Sequence, residues 1–218
     1  MNDITLEEKK AKAQQDIRDL RSKINSLDEN SIDLIIGKAR THYAWQNREV
    51  SDEMIKKLYE VVAQGSTHFN SQPGRFVFIK SVEAKKKLEK GLKPANIKKA
   101  MTAPLTVIIA YDTKFWEKLP KLFPLDDKTG MFRDKEAFAE KIAFRNSTLQ
   151  GAYLMLTARA MGLDAGPMSG FEPNVIDEEF FPNSTFKCNF LCNIGYGDES
   201  AIFHKLPRLS FDEACRIT

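Results

Sequence analysis

The sequence predicts an α+β fold, and three observations support this prediction. Residues 105–111 form a nearly continuous apolar run, as expected of a strand that is buried on both faces of a sheet. Residues 134–161 have the longest helical pattern, and residues 152–156 at its centre are apolar nearly all round, which is typical of a helix in a core or a subunit interface. Helical patterns outnumber strand patterns, and the two kinds occur along the chain without regular alternation.

Composition and charge are those of an ordinary globular protein and exclude several other classes. The 218 residues are 42% hydrophobic and 29% charged, and the net charge of +3 is too small to indicate a nucleic-acid partner. No window approaches the about 18 consecutive apolar residues of a membrane span, and no apolar signal segment opens the chain. We therefore expect a cytoplasmic protein with reduced thiols. The three histidines have no metal-ligand spacing, so no metal is expected.

The first 30 residues are predicted to form a helical extension. They contain no glycine, proline or aromatic residue, and their apolar stripe is narrow: Ile17, Leu20, Ile24 and Leu27. Two heptads are too few to establish a coiled coil, so we expect an arm that packs on the body or on a second subunit. A second helix, capped by Asn30 or Ser31, is predicted to run to about residue 39.

The next elements are predicted from caps and short apolar patterns. Residues 51–53 cap a helix with inward-facing Ile55, Leu58, Val61 and Val62. A polar loop covers residues 65–74, and residues 76–79 form a short strand. Ser81 then opens a lysine-rich helix, in which residues 85–87 and 90 either attract a phosphorylated cofactor or form a solvated face. The apolar groups in residues 112–133 predict either a lid or simple packing.

The second half of the chain contains one more predicted strand and two short helices. Residues 162–171, with Gly-Pro-x-x-Gly inside them, are predicted to be a turn between two helices, and Pro173 is expected to begin the second one. Alternation over residues 186–194 predicts a strand, with Cys188 and Cys192 on one face as core filling. A final short helix is expected from Ser210.

Familiar catalytic motifs are largely missing. Gly195-Tyr196-Gly197 after a strand resembles the start of a dinucleotide fingerprint, but the third glycine and the following helix are missing, so a Rossmann site is rejected. The sequence has no P-loop and no Gly-x-Ser-x-Gly elbow, which gives hydrolysis little support.

Four segments in fixed order do carry a recognisable pattern: Arg-Thr-His-Tyr-Ala-Trp at 40–45, Gly-Ser-Thr-His-Phe-Asn-Ser-Gln-Pro-Gly-Arg-Phe at 65–76, Asn-Ile-Lys-Lys at 96–99 and Pro-Met-Ser-Gly-Phe at 167–171. Together they resemble the FMN-dependent nitroreductase family, with the nearest likeness to its malonic semialdehyde reductase branch. The resemblance covers residues 31–218. It implies a central mixed sheet flanked by helices, a long core or interface helix, and a homodimer with FMN sites at the subunit interface.

The resemblance also implies roles for individual residues. Arg40, Thr41 and His42 are expected at the FMN phosphate, together with Lys205 and Arg208 near the C-terminus. Ser66, Asn70 and Gln72 are expected to reach the flavin of the other subunit. Asn96 and Lys99 are placed beside the pyrimidine edge of the flavin, where a fixed ammonium group stabilises the reduced form. Pro167, Met168, Ser169 and Gly170 form a loop whose backbone N–H groups face flavin N5 and O4. Lys99, Ser169 and Gly170 are therefore the expected catalytic residues.

The implied activity is an NAD(P)H-dependent oxidoreductase that moves a hydride through flavin N5 to a small acceptor. NADH and NADPH are both open as donors. Malonic semialdehyde or a similar aldehyde is the expected substrate, with nitroaromatics or quinones as the alternative. A non-catalytic flavin-binding module is a further alternative. Arg145 on the long helix is a candidate for an anionic substrate, or else part of a structural ion pair.

Overall fold

The computed structural model describes residues 5–218 of the chain. Its helices are α1 (Leu6–Lys23), α2 (Glu29–Ile32), α3 (Asp52–Val62), α4 (Val82–Glu89), α5 (Pro94–Thr102), α6 (Leu119–Leu122), α7 (Glu136–Ala160), α8 (Pro173–Phe180) and α9 (Phe211–Ala214). Its strands are β1 (Gly74–Ile79), β2 (Leu105–Asp112), β3 (Asp164–Met168) and β4 (Phe186–Gly195). The predicted α+β fold is confirmed, as are the long helix and the helix that begins at Pro173.

The four strands form one sheet in the order β1-β2-β4-β3, so β1 and β3 are the two edge strands. Every neighbouring pair is antiparallel, which corrects the expected mixed sheet. Among residues 5–218, parallel pairing is limited to a single bridge between Thr41 and Ala165 beside β3. Both central strands are covered, and all eight residues of β2 are buried, as the apolar run predicts.

Two apolar layers cover the two faces of the sheet. On one face, Leu58 of α3 and Leu154 of α7 pack in a cluster with Val107 of β2. On the other face, Leu88 of α4 and Ile176 of α8 pack in a cluster with neighbours that include Ile108 of β2. Each fully buried leucine or isoleucine contributes about 1.5–3 kcal/mol, so these layers hold the sheet and α7 in place.

A bulge in β4 changes which residues share a face. Ile109 pairs with Phe190 but Ala110 pairs with Cys188, so Asn189 is the extra residue. Cys188 therefore packs in one apolar layer and Cys192 in the other. The expectation that both cysteines lie on one face is wrong, although both are buried core residues.

The structure corrects three local predictions. Residues 164–168 form β3 rather than part of a turn between helices, because they pair with β4. Val61 is half exposed, whereas its neighbours Leu58 and Val62 are buried. The second helix is capped by Asp28, whose carboxylate accepts a hydrogen bond from the Ser31 N–H at 2.8 Å.

The structure decides between the alternative interpretations of two segments, the lysine-rich helix α4 and residues 112–133. Lys85 is buried, and its ammonium group donates to the carbonyls of Met101 and Ala103 at the C-terminal end of α5, which is a capping role. In residues 112–133, Phe115, Leu119 and Phe132 pack in a buried cluster with α7, which favours simple packing over a lid.

The N-terminal extension makes little contact with the rest of the chain. Helix α1 begins with a capping box between Thr5 and Glu8, and none of its residues is buried. Ile17 and Leu20 are about half exposed (56% and 54%), so the expected packing on the body of the same chain is not observed. Residues 1–4 of the predicted extension lie outside the described residues. No helix in residues 5–218 is long and apolar enough to cross a bilayer.

Candidate active site

A cleft of about 320 Å³ lies between residues 36–43, the end of α7 and the C-terminal tail. We call it the cation cleft, because four positively charged side chains line it: Arg40, Arg159, Lys205 and Arg208. His204 and Thr41 also line the cleft, whereas no aspartate or glutamate does.

The cations of this cleft are held by backbone carbonyls rather than by carboxylates. Arg40 donates to the Phe203 carbonyl, Lys205 Nζ to the Gly37 carbonyl at 2.9 Å, and Arg208 Nη1 to the carbonyls of Leu206 and Pro207. Within residues 5–218, none of the four side chains that define the cleft forms an ion pair. Uncompensated guanidinium and ammonium groups in one cleft fit a phosphate dianion.

The segment that carries Arg40 and Thr41 is fixed by the sheet. Thr41 bridges to Ala165 of β3, and Trp45 bridges to Gly197 just beyond β4. The Gln46 N–H donates to the Tyr196 carbonyl at 2.8 Å. These backbone contacts hold the start of the segment beside β3, and so place Arg40 at the edge of the sheet.

His42 is a buried residue of the interior and is not part of the cation cleft. Its Nε2 lies 3.2 Å from Asp164 Oδ1, and a Cβ atom on Gly197 would lie 1.8 Å from its Nδ1. Burial by itself would raise the pKa of Asp164, but the hydrogen bonds from His42 and from the Gly197 N–H lower it overall. The expected phosphate role of His42 is therefore replaced by a structural one. Gly197 of the Gly-x-Gly sequence serves this packing.

Lys99, Asn96 and Gly170 form a second, contiguous polar cluster. Lys99 Nζ donates to Asn96 Oδ1 at 3.2 Å, and Asn96 Nδ2 donates to the Gly170 carbonyl at 3.0 Å. Asn96 is buried and Lys99 is partly exposed. Two of the four sequence segments are thus brought into direct contact, as the resemblance implies.

Tyr43 connects this cluster to the cation cleft. Its ring centroid lies 4.7 Å from Lys99 Nζ, within the range of a cation–π contact. The same residue lines the cation cleft, and 47% of it is exposed. Cationic and polar groups therefore continue from the cleft to the Gly170 carbonyl.

Residues 169–172, which we call the Gly170 loop, expose backbone donors. The Gly170 carbonyl accepts hydrogen bonds from the Asn96 side chain and from the Lys93 N–H, and these two bonds fix the position of the loop. The N–H groups of Ser169 and Gly170 have no partner within residues 5–218, and Ser169 is exposed. A Cβ atom on Gly170 would lie 2.4 Å from Asn96 Nδ2, so a larger residue would displace the Asn96 side chain that holds the Gly170 carbonyl.

The two residues before this loop belong to β3. Pro167 is partly buried and pairs with Cys192, and the Met168 side chain is buried in the core. Their contribution to a ligand site is therefore to fix the start of the Gly170 loop. The side chain of Met168 is not available for contact with a ligand.

Residues 65–73, which we call the Asn70 loop, lie at the other edge of the sheet. This loop leads into β1, whereas the Gly170 loop follows β3, and three strand spacings of about 4.8 Å separate the two edges. The backbone is left-handed at Phe69, Asn70 and Gln72, with φ values of 49°, 51° and 42°. Such strain persists only where surrounding contacts hold it, and it is often found at functional sites.

Hydrogen bonds tie the Asn70 loop to its surroundings. Asn70 Nδ2 donates to the Leu122 carbonyl at 2.9 Å and Gln72 Nε2 to Asn70 Oδ1 at 3.0 Å. The Ser66 carbonyl accepts from the Tyr153 hydroxyl at 3.0 Å. Within the described chain, Ser66, Asn70 and Gln72 have no hydrogen bond to the Lys99 cluster. The structure therefore does not bring all four sequence segments together in one chain.

Two residues of the site were missed by the sequence patterns, and one candidate finds no support. Arg159 and Tyr43 both line the cation cleft. For Arg159 the only signal was a basic residue in the last turn of a helix, which is common. Arg145 is exposed on α7 and does not line the cation cleft, and it forms no ion pair with any residue from 5 to 218.

The donor set fits an elongated ligand with an anionic end. The cation cleft provides the charge for a phosphate, and the Lys99 cluster provides an ammonium group and free backbone N–H groups for a polar ring edge. FMN has both of these features, so the residues present fit that cofactor.

Comparisons of this chain with known protein families, sequences and structures all indicate the same family. Residues 36–196 match the model of the nitroreductase family. A protein of Polynucleobacter asymbioticus, named "Putative NADH dehydrogenase/NAD(P)H nitroreductase", is 50% identical over 191 residues, which are 88% of this chain and 97% of the relative. A protein of Rhodopseudomonas palustris with the same name is 50% identical over 193 residues, which are 88% of this chain and 98% of the relative.

Solved structures share the fold at low sequence identity. A protein from Bacillus subtilis, described as a "putative nitroreductase", superposes with a TM-score of 0.79 at 18% identity, and the match covers 88% of this chain and 100% of that protein. A protein from Exiguobacterium sibiricum, described as a "putative nitroreductase in complex with FMN", has a TM-score of 0.78 at 23% identity, and the match covers 88% of this chain and 98% of that protein.

Proposed function

Because the chain belongs to the nitroreductase family, we propose that it is an FMN-dependent NAD(P)H oxidoreductase that reduces a small acceptor. One observation carries this proposal: a cleft with four cations and no carboxylate continues through Tyr43 to Lys99, Asn96 and the Gly170 loop. When bound, FMN supplies the two-electron chemistry between NADH or NADPH and the acceptor.

The residues of the chain have separate tasks in this proposal. Arg40, Lys205 and Arg208 hold the phosphate, since their charges are not paired with carboxylates. Lys99 places a positive charge beside the ring edge, where negative charge develops on reduction. The N–H groups of Ser169 and Gly170 donate from a loop whose other side is fixed by Asn96. No nucleophile or general-base pair is required.

We propose that a second copy of the chain contributes residues to the same FMN site. Ser66, Asn70 and Gln72 lie at the edge of the sheet opposite the Gly170 loop, so they reach an FMN site only on a partner subunit. Homodimerisation with FMN at the interface therefore remains our proposal, and sedimentation equilibrium of the FMN-bound protein tests it. A division into an extension at 1–30 and an FMN-binding domain at 31–218 is proposed with it. A cytoplasmic location also stays a prediction.

For the acceptor, we propose malonic semialdehyde or a similar small aldehyde. The resemblance of the four segments to that branch supports it, and the partly exposed Lys99 ammonium offers a cation for an anionic aldehyde. A broad nitroaromatic or quinone reductase is the second candidate, and the names of the two 50% identical relatives favour it.

Anaerobic reduction of the FMN-loaded protein tests the redox activity. We expect NADH or NADPH to bleach the flavin absorbance. If FMN does not bind, the proposed cofactor is wrong, and if FMN binds but neither donor bleaches it, the protein is a flavin-binding module.

A steady-state screen under anaerobic conditions separates the acceptors. We expect kcat/KM for malonic semialdehyde to exceed the values for a nitroaromatic compound and a quinone by at least about tenfold, which corresponds to about 1.4 kcal/mol of transition-state stabilisation. The reverse order would favour the second candidate.

A further inference from the structure

Arg159 occupies an unusual position between the long helix and the cation cleft. It lies in the last turn of α7, and its Nη1 donates to the Ile35 carbonyl at a long 3.3 Å. This contact leaves the other edge of the guanidinium group, formed by Nε and Nη2, without a hydrogen bond to residues 5–218. An arginine at a helix C-terminus has a favourable interaction with the helix dipole, but this does not explain why it lines a cleft.

The Nε atom makes the position informative. It is buried and has no hydrogen-bond partner among the described residues. Buried polar atoms are nearly always hydrogen-bonded, so residues 5–218 leave the Arg159 guanidinium group incompletely satisfied. Arg159 also lines a neighbouring cavity with Asp33 and Asp164, yet it forms an ion pair with neither of them.

The Arg159 guanidinium group also has the right shape for a specific ligand. It is planar and always charged, and a guanidinium group can donate two parallel hydrogen bonds to one phosphate. The remaining groups that line the cleft include three more cations and no carboxylate, so an anion is the expected ligand.

We propose that Arg159 is a phosphate-binding residue whose guanidinium group binds the FMN phosphate in the cation cleft, beside Arg40, Lys205 and Arg208. This assignment rests on the proposed binding of FMN. It adds a residue that no sequence motif indicated. It also gives the last turn of α7 a function in cofactor selection in addition to its packing on the sheet.

The test compares FMN with riboflavin, which has the same ring system and lacks the phosphate. Dissociation constants for both are measured by flavin fluorescence with the cofactor-free full chain, for the wild type, Arg159→Gln and Arg159→Lys. Arg133→Gln is the matched control, because Arg133 lies beside Trp116 and does not line the cleft.

We expect Arg159→Gln to weaken FMN binding by about 10–100-fold, as expected for loss of a charge-assisted hydrogen bond, and to change riboflavin binding by less than about twofold. Arg159→Lys should fall between the wild type and Arg159→Gln, because it keeps the charge without the planar fork. Arg133→Gln should match the wild type for both ligands.

Two outcomes would overturn the assignment. An equal loss of FMN and riboflavin would mean that Arg159 only tethers α7 to residue 35, and unchanged FMN binding would mean that it does not reach the phosphate. If Arg159→Gln does not fold, the test uses Arg159→Lys instead. The assignment would be overturned if the ratio of FMN affinity to riboflavin affinity is the same in Arg159→Lys as in the wild type. Failure of the wild type to bind either flavin would instead reject the proposed function.

Discussion

The Gly170 loop and the Asn70 loop were both expected at a flavin, and the structure holds them in different ways. In the Gly170 loop, the Gly170 carbonyl accepts from Asn96 and from the Lys93 N–H. The N–H groups of Ser169 and Gly170 at the start of this loop have no partner within residues 5–218. At the Asn70 loop, the His68 N–H donates to Asn146, and the N–H of Gly74, the first residue of β1, donates to Gln150. The first loop therefore presents two free donors, whereas these two donors at the second loop are used internally. We expect mutations to affect ligand binding at the first loop and folding stability at the second.

The largest expected effect is at Gly170. Gly170→Pro removes a free N–H and places atoms where a Cβ would already lie 2.4 Å from Asn96 Nδ2, so FMN binding should weaken by about 100-fold or more, or about 3 kcal/mol. Ser169→Ala keeps both N–H groups and should stay within about twofold of the wild type. Flavin fluorescence titration measures both. The opposite ranking would mean that the Ser169 hydroxyl, rather than the backbone, is the ligand.

At the Asn70 loop we expect a loss of stability in the protein without cofactor. Gln150 is buried, and its Oε1 accepts from the Gly74 N–H at 2.7 Å, so Gln150→Ala leaves a buried donor unpaired. The cost should be about 2 kcal/mol, which lowers the Tm by about 4–8 °C in thermal unfolding. Gln14→Ala on the exposed helix α1 is the control, and an equal change in both variants would contradict this view of the loop.

A substitution of Lys99 tests whether the site beside the Gly170 loop changes the reduction potential of the flavin. In our proposal, Lys99→Ala removes the cation beside the ring edge, so it should lower the two-electron midpoint potential by about 30 mV, equivalent to about 1.4 kcal/mol. Lys98→Ala removes a neighbouring, exposed ammonium group and should leave the potential unchanged. Equal potentials for the wild type and Lys99→Ala in spectroelectrochemical titration would exclude the charge effect.

The smallest expected effect concerns the contact between Tyr43 and Lys99. A double-mutant cycle with Tyr43→Ala and Lys99→Ala should give a coupling free energy of unfolding of about 0.5–1 kcal/mol, as cation–π contacts at exposed sites do. Tyr43→Phe keeps the aromatic face and should preserve the coupling in the corresponding cycle. A coupling below about 0.3 kcal/mol would mean that the ring does not hold the ammonium group.

Much of the fold was accessible from sequence, because local patterns and core positions agree. The uninterrupted apolar run of β2, the helix α7 and the caps at Ser51, Ser81 and Ser210 were all identified correctly. The Lys99, Asn96 and Gly170 segments were expected in one place, and they are in contact. The predictions failed where a distant partner decides the conformation.

Three failures show this physical limit. β3 contains a glycine and a proline and resembles a turn, but pairing with β4 makes it an edge strand. The bulge at Asn189 reverses which face Cys188 occupies, and no local signal marks it. His42 is in a motif expected at a phosphate, yet its ring is bound to Asp164, far along the chain.

By itself, the sequence determined the fold class, the starts of the helices capped by Ser51, Ser81 and Ser210, and the types of residue available for binding a flavin, since these follow from local periodicity, capping and motif order. Only the tertiary structure decided which of those residues meet. It placed Arg159 beside Arg40 in the cation cleft, Tyr43 on Lys99, and the two loops at opposite edges of one sheet. The reason is that strand order and side-chain burial depend on contacts between residues far apart in sequence, which no local pattern encodes.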